Sequence, residues 1–412
     1  MKRICGMVRC GWLALLLALA ACGGGGSGGA PAPVAGPARD ELVSVPSTES
    51  IDSATVNAAI AALVSSGVDT SRLSGAYRLS LNRIVYKTVT PDGRLIDASG
   101  VVAYPLKLNG VRSPLLSYQH WTALQNSEAP SVSPNIDPVL IALAGSGFIV
   151  AMPDYIGYGA ATRDVHPYVQ AQGLAASVVD MLRAARRLLA NNNVVTNGQL
   201  FLTGYSEGGY ATLAAQKEME QNLAGEFPIT ASMPAAGPYD MTATAQNIVG
   251  LAVNPDPELV AFVFKAYDYW YGWNRLSEIF QPPYDAVIAA YLYDGNYIQG
   301  PLTTDSAALF NATFRTAFLG GGEATVKAAV AANNIHDWRP SAPTRLFHGP
   351  EDSVVPYFNA TNALAAMTAA GSTSVTIADC TTPALIPRGH SECIPSYLSQ
   401  VIGWFVPLAA DL

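Results

Sequence analysis

A single serine stands among glycines in Gly204-Tyr205-Ser206-Glu207-Gly208-Gly209. The residues before it, Gln199 to Thr203, are apolar and β-prone, and those after it, Tyr210 to Asn222, have helical character. Glycines at a strand-to-helix turn can simply serve tight packing. They can also allow a strained turn that presents the Ser206 hydroxyl as a nucleophile. Such a hydroxyl needs a base to take its proton and an acid to orient that base. The chain has five histidines: His120, His166, His336, His348 and His390. His348 ends a strand-like run, whereas His390, in Pro387-Arg-Gly-His-Ser-Glu-Cys393, falls in a loop after the last such run. His390 is therefore the candidate base. The candidate acid is Asp352, in the loop after Thr344 to His348, with Glu351 as its rival. Asp352 could instead cap a helix starting near Val354.

These three residues need a frame that brings their loops together. Ala76 to Val89 and Leu95 to Tyr104 read as strands around the turn Thr90-Pro-Asp-Gly93, so an antiparallel hairpin opens the sheet. Strand and helix then alternate. Strands are expected at Pro114–His120, Phe148–Pro153, Gln199–Thr203, Ala231–Ala236, Thr344–His348 and Ser374–Ala378. Helices are expected at 52–64, 138–145, 171–191, 210–222, 356–370 and 394–405. That alternation predicts an α/β fold with a mostly parallel central sheet flanked by helices. Residues 240–339 break it with a helical, aromatic stretch that includes Tyr267-Asp-Tyr-Trp-Tyr-Gly-Trp273. This reads as a cap insertion whose aromatics either form its own small core or bind substrate beneath it. Ser206, Asp352 and His390 then fall at the C-terminal ends of successive strands, where open α/β sheets place their sites.

With the order serine, acid, histidine along the chain, GYSEGG, HGPEDSVVP and GHSEC resemble the nucleophile elbow, acid loop and histidine loop of the α/β-hydrolase superfamily. LSYQHWT and MPDYIGYGAATRDVHPY also resemble the secretory lipase and carboxylesterase branch. The resemblance covers most of residues 80–410. It implies an α/β-hydrolase fold with a helical cap, and a catalytic set of Ser206, Asp352 and His390 that needs no cofactor or metal. It further implies an oxyanion site with one donor from the Glu207 amide and another from the loop after the 114–120 strand. Relatives commonly carry His-Gly in that loop. This chain has His120-Trp121, so the second donor is Thr122 or Trp121. Trp121 could alternatively wall an acyl pocket or pack beneath the insertion. Tyr155, Tyr158 and Tyr205 join Trp121 as candidate substrate-binding residues. His166-Pro167-Tyr168 also fits the resemblance, but no role for it follows from the sequence.

The ends and the composition bound the rest. Lys2, Arg3 and Arg9 precede an apolar run from Trp12 to Ala21, too short to span a bilayer, which reads as a signal peptide over 1–21. Leu19-Ala-Ala-Cys22 resembles a bacterial lipobox and implies lipidation of Cys22 and a membrane partner; ordinary secretion with cleavage after Ala20 is the alternative. Residues 22–46, rich in Gly, Pro and Ala, read as a flexible linker, which leaves 47–412 as the folded domain. Of five cysteines, only Cys380 and Cys393 remain in that body; in an exported protein they are a candidate disulfide, or else two free thiols. The formal net charge is −8 with no long basic run, which argues against a nucleic-acid partner. The expected activity is hydrolysis of carboxylic esters. A peptidase or amidase, a polyester hydrolase, or a non-catalytic binding module on the same fold are the alternatives.

Overall fold

The computed structural model describes residues 39, 41–291 and 302–412. The signal sequence, Cys22 and the first part of the linker lie outside the described residues. A nine-stranded sheet organises the rest, in the order β1-β2-β3-β5-β4-β6-β7-β8-β9. Its strands are β1 (Leu42–Ile51), β2 (Leu79–Val89), β3 (Leu95–Pro105), β4 (Arg112–Gln119), β5 (Ile149–Pro153), β6 (Val195–Tyr205), β7 (Ala231–Ala235), β8 (Thr344–His348) and β9 (Val375–Asp379). The pairs β1–β2, β2–β3 and β3–β5 are antiparallel. From β5 through β4, β6, β7 and β8 to β9 every pair is parallel. The hairpin read from the sequence is β2–β3, paired from Leu79 opposite Pro105 to Val89 opposite Leu95.

The start of the folded domain differs from what the composition predicts. The Gly-, Pro- and Ala-rich composition predicts a linker to residue 46, yet Leu42 already begins β1. This strand is a sheet edge with mostly exposed side chains and a proline at its middle, Pro46. Edge strands tolerate proline, and a polar exposed strand leaves no apolar alternation to read.

The helices cover both faces. Helices α1 (Ser53–Ser65), α2 (Pro138–Gly145), α3 (Ala171–Asn191) and α4 (Glu207–Asn222) come first. The stretch between β7 and β8 carries α5 (Met241–Gly250), α6 (Pro257–Trp270), α7 (Leu276–Ile279), α8 (Tyr284–Tyr291), α9 (Ser306–Leu309), α10 (Ala312–Leu319) and α11 (Ala324–Ala331). Last come α12 (Phe358–Ala369) and α13 (Ile394–Leu408). Successive strand residues face opposite sides. Leu200 and Leu202 of β6 pack in one core with α3, α4, α12 and the inserted helices, while Phe201 packs in the other with α1, α2 and α13. Both faces of the central strands are therefore apolar, as a parallel sheet requires.

Candidate active site

The three glycines beside Ser206 serve close backbone approach. A Cβ on Gly204 would lie 2.4 Å from the Gly208 oxygen, and one on Gly209 would lie 1.9 Å from that of Ala235. A Cβ on Gly208 would lie 2.2 Å from Gln119 O and 2.6 Å from His120 O. Only glycine lets the turn between β6 and α4 press against the ends of β4 and β7. Ser206 itself sits at φ 60° and ψ −121°, a strained conformation for a residue with a side chain. It is held there by Ser206 N donating to Ala235 O at 2.8 Å and by Tyr210 N donating to Ser206 O at 3.0 Å.

His390 Nε2 lies 2.9 Å from Ser206 Oγ, and its Nδ1 lies 2.6 Å from Asp352 Oδ2. The carboxylate only accepts, so Nδ1 carries the proton and Nε2 is free to accept the serine hydroxyl. Asp352 Oδ1 takes the backbone N–H groups of Val354 and Val355 at 3.0 and 2.8 Å. So Asp352 does cap the turn after it, while its other oxygen faces His390. His348 donates from Nε2 to Val355 O at 2.7 Å, and the same nitrogen is 3.3 Å from Asp352 Oδ2. Burial works against the charge of Asp352, but the hydrogen bonds from His348 and His390 outweigh it and hold the carboxyl at about 2. Glu351, the rival acid, turns outward and pairs with Arg388 at 3.2 Å.

The histidine loop is tied at several points. Cys380 and Cys393 form a disulfide. Glu351 N donates to Arg388 O at 3.1 Å, and Tyr205 OH donates to His390 O at 2.5 Å.

Ser206 and Glu207 border an apolar cavity of about 60 Å³, walled mainly by α5 and α6 through Met241, Ile248, Leu259, Val263 and Phe264, with Trp273 beyond them. The inserted helices thus form the roof of the site. The side chains of Trp121, Tyr155, Tyr158 and Tyr205, the candidate substrate-binding residues, do not line this cavity. Tyr155 and Tyr158 are fully buried, and their hydroxyls donate to His120 O and Ala123 O. Tyr205 braces His390 through the hydrogen bond to its carbonyl and a ring contact at 5.3 Å between centroids. Trp121 is 46% exposed and, with Thr122, borders a second cavity on the α1–α2 side. Tyr168 and Tyr267, which no sequence motif singles out for substrate, do border the Ser206 cavity. His166-Pro167-Tyr168 carries no recognisable catalytic pattern, and Tyr267 is one of five aromatics in seven residues of the insertion.

A mixed sheet with this strand order, an elbow after β6 and a helical insertion after β7 is the α/β-hydrolase fold. Within that class, residues 125–255 match the secretory lipase family. A Legionella pneumophila protein with a provisional hydrolase assignment is 28% identical, covering 88% of this chain and 98% of its own, with a TM-score of 0.78. The ligand-bound rice cell wall degrading esterase LipA from Xanthomonas oryzae is 25% identical over 89% of this chain and 98% of its own, with a TM-score of 0.77. Candida antarctica lipase A in its closed state shares the fold at 14% identity and a TM-score of 0.61, over 86% of this chain and 78% of its own. No curated protein sequence matches the chain.

Proposed function

We propose that the protein is an exported serine hydrolase of carboxylic esters. The observation that supports this most is the continuous line Asp352–His390–Ser206, ending at the mouth of an apolar cavity. The secretory lipase match and the esterase and lipase neighbours point the same way. Ser206 Oγ attacks the acyl carbon while His390 Nε2 takes its proton. The oxyanion is met by the Glu207 amide at the head of α4 and by an amide of Trp121 or Thr122, in the loop that Gly208 approaches. The imidazolium, balanced by Asp352, gives its proton to the departing alkoxide. Water then attacks the acyl-enzyme with His390 as base, releasing the acid and restoring Ser206. The acyl chain lies under α5 and α6, and the apolar lining favours uncharged acyl groups.

Ser206→Ala tests the reading. The variant should fold, lose fluorophosphonate labelling and lose p-nitrophenyl ester turnover by several orders of magnitude. Turnover within about tenfold of wild type sinks the assignment, and faster cleavage of amino-acid anilides than of esters would make the protein an amidase. The leader and Leu19-Ala-Ala-Cys22 support export and a lipid anchor on Cys22. Cys22→Ser should move the protein from membranes to the soluble fraction of a Gram-negative host, and a wild-type protein found wholly soluble there removes the anchor.

A further inference from the structure

The segment His166-Pro167-Tyr168 and the side chain of Glu207 are not used by the mechanism, yet they meet. Glu207 is buried beside the nucleophile, and its Oε1 lies 2.5 Å from His166 Nε2. An acidic side chain in such a place is costly unless it is paired. The other ring nitrogen, Nδ1, lies 2.7 Å from Ile156 O. A carbonyl oxygen only accepts, so Nδ1 carries a hydrogen. The contact with Glu207 is then imidazolium with carboxylate, or imidazole with carboxylic acid. Both arrangements are neutral overall, and both keep one hydrogen between the two groups. The rings of Tyr155, Tyr158, Tyr168 and Phe262 surround His166, with centroids 4.8 to 5.9 Å away.

The same loop also grips the opposite side of the oxyanion site. Tyr155 OH donates to His120 O at 3.1 Å, and Tyr158 OH donates to Ala123 O. Tyr168 OH and Thr122 Oγ1 are 3.0 Å apart. The carbonyls on either side of Trp121-Thr122 are therefore pinned by residues 155 and 158, and the elbow is pinned by residue 166. We infer that the His166–Glu207 hydrogen bond is a positioning pair: it fixes the Glu207 amide relative to the Trp121–Thr122 amides, so that two donors converge on the developing oxyanion. The inference rests on the ester-hydrolase reading above. His166 and the Glu207 carboxyl touch no reacting atom in it, and act only through the amides.

A pair that aligns oxyanion donors should matter in the transition state and little in substrate binding. Loss of one donor in a comparable site costs about 10²- to 10³-fold in kcat, so misalignment should cost about 10- to 100-fold. Glu207→Leu should lower kcat by that amount with KM within about twofold, and should weaken a boronic-acid mimic of the tetrahedral state by the same factor. Glu207→Gln can donate its amide N–H to a neutral His166 Nε2, and should recover kcat to within about fivefold of wild type. Should Glu207→Leu fail to fold, His166→Phe removes the same hydrogen bond within the aromatic surround and must give the same kcat-confined loss. Equal losses in Glu207→Gln and Glu207→Leu, a loss shared between kcat and KM, or an unchanged kcat in the deletion variants would overturn the positioning role. Those outcomes are distinct from failure of the hydrolase reading, in which Ser206→Ala would keep its turnover and its fluorophosphonate labelling.

Discussion

Replacing Asp352 by asparagine tests the acid with one atom changed. Asp352 uses both oxygens: Oδ1 for the Val354 and Val355 amides, Oδ2 for His390 and His348. The asparagine carbonyl must stay on the two amides, which puts its NH₂ against His390 Nδ1. Two donors then face each other. His390 escapes by moving its hydrogen to Nε2, and that nitrogen can no longer take the Ser206 proton. The comparable change in a serine protease costs about 10⁴ in kcat, and the same loss is expected here. Stability should follow a definite pH course. The folded-state pKa of Asp352 is lowered from 3.8 to about 2, and the group is buried, so its ionised form contributes roughly 2 kcal/mol. Because the folded value is the depressed one, that contribution is full above the unfolded value near 4 and fades as pH falls toward 2. Urea unfolding should therefore show Asp352→Asn less stable than wild type at pH 7, with the gap closing as pH drops below 4. Ester turnover within tenfold of wild type would refute the assignment of the acid. So would Glu351→Gln losing as much activity, since Glu351 faces Arg388 and should matter less than about threefold.

Two more outcomes follow from the same geometry. Reduction of the Cys380–Cys393 disulfide should lower ester turnover at moderate temperature before circular dichroism reports global unfolding, because local opening of the histidine loop costs less than melting the sheet; closing a loop of 13 residues contributes roughly 3 kcal/mol in the chain-entropy account. Val263→Phe places a ring in the cavity beneath α6 and should cut kcat/KM for octanoyl esters more than tenfold while acetyl esters stay within about threefold; an equal loss for both would take the acyl chain out of that cavity.

The parts legible in the sequence share a physical feature. β2, β3, β8, α2 and α3 declare themselves by local period or by a turn such as Thr90-Pro-Asp-Gly93, and the expected spans agree with the observed ones to within a few residues. That Ser206, Asp352 and His390 meet was legible because each follows a strand, β6, β8 and β9, and the parallel sheet brings those strand ends together. β1 was not legible because it is exposed, polar and broken by Pro46, and its register comes wholly from β2. The placement of the tyrosines was hidden for a different reason. Tyr155 and Tyr158 lie near the site in sequence context, but their hydroxyls serve backbone carbonyls across 35 residues. The pairing of His166 with Glu207 spans 41 residues, and neither residue marks the other in composition or period.

The two halves of the site are therefore held by different means. Ser206, His390 and Asp352, the proposed nucleophile, base and acid, hang from strand ends, and backbone hydrogen bonds, three glycines and a disulfide fix their loops. On the proposed oxyanion side, side chains of one loop, residues 154–168, reach toward Glu207 on one side and residues 120–123 on the other. Asp154 anchors that loop in turn: Oδ1 accepts from Ser131 N at 2.7 Å and Oδ2 from Ser99 Oγ at 2.6 Å. Loss of a backbone-held part, such as a Cβ added at Gly208, should disturb the fold around the elbow, because the atoms it meets are main chain. Loss of a side-chain link on the proposed oxyanion side, such as His166 to Glu207, should instead leave the strands in register and shift only the proposed donors, so circular dichroism and melting should stay near wild type while kcat falls.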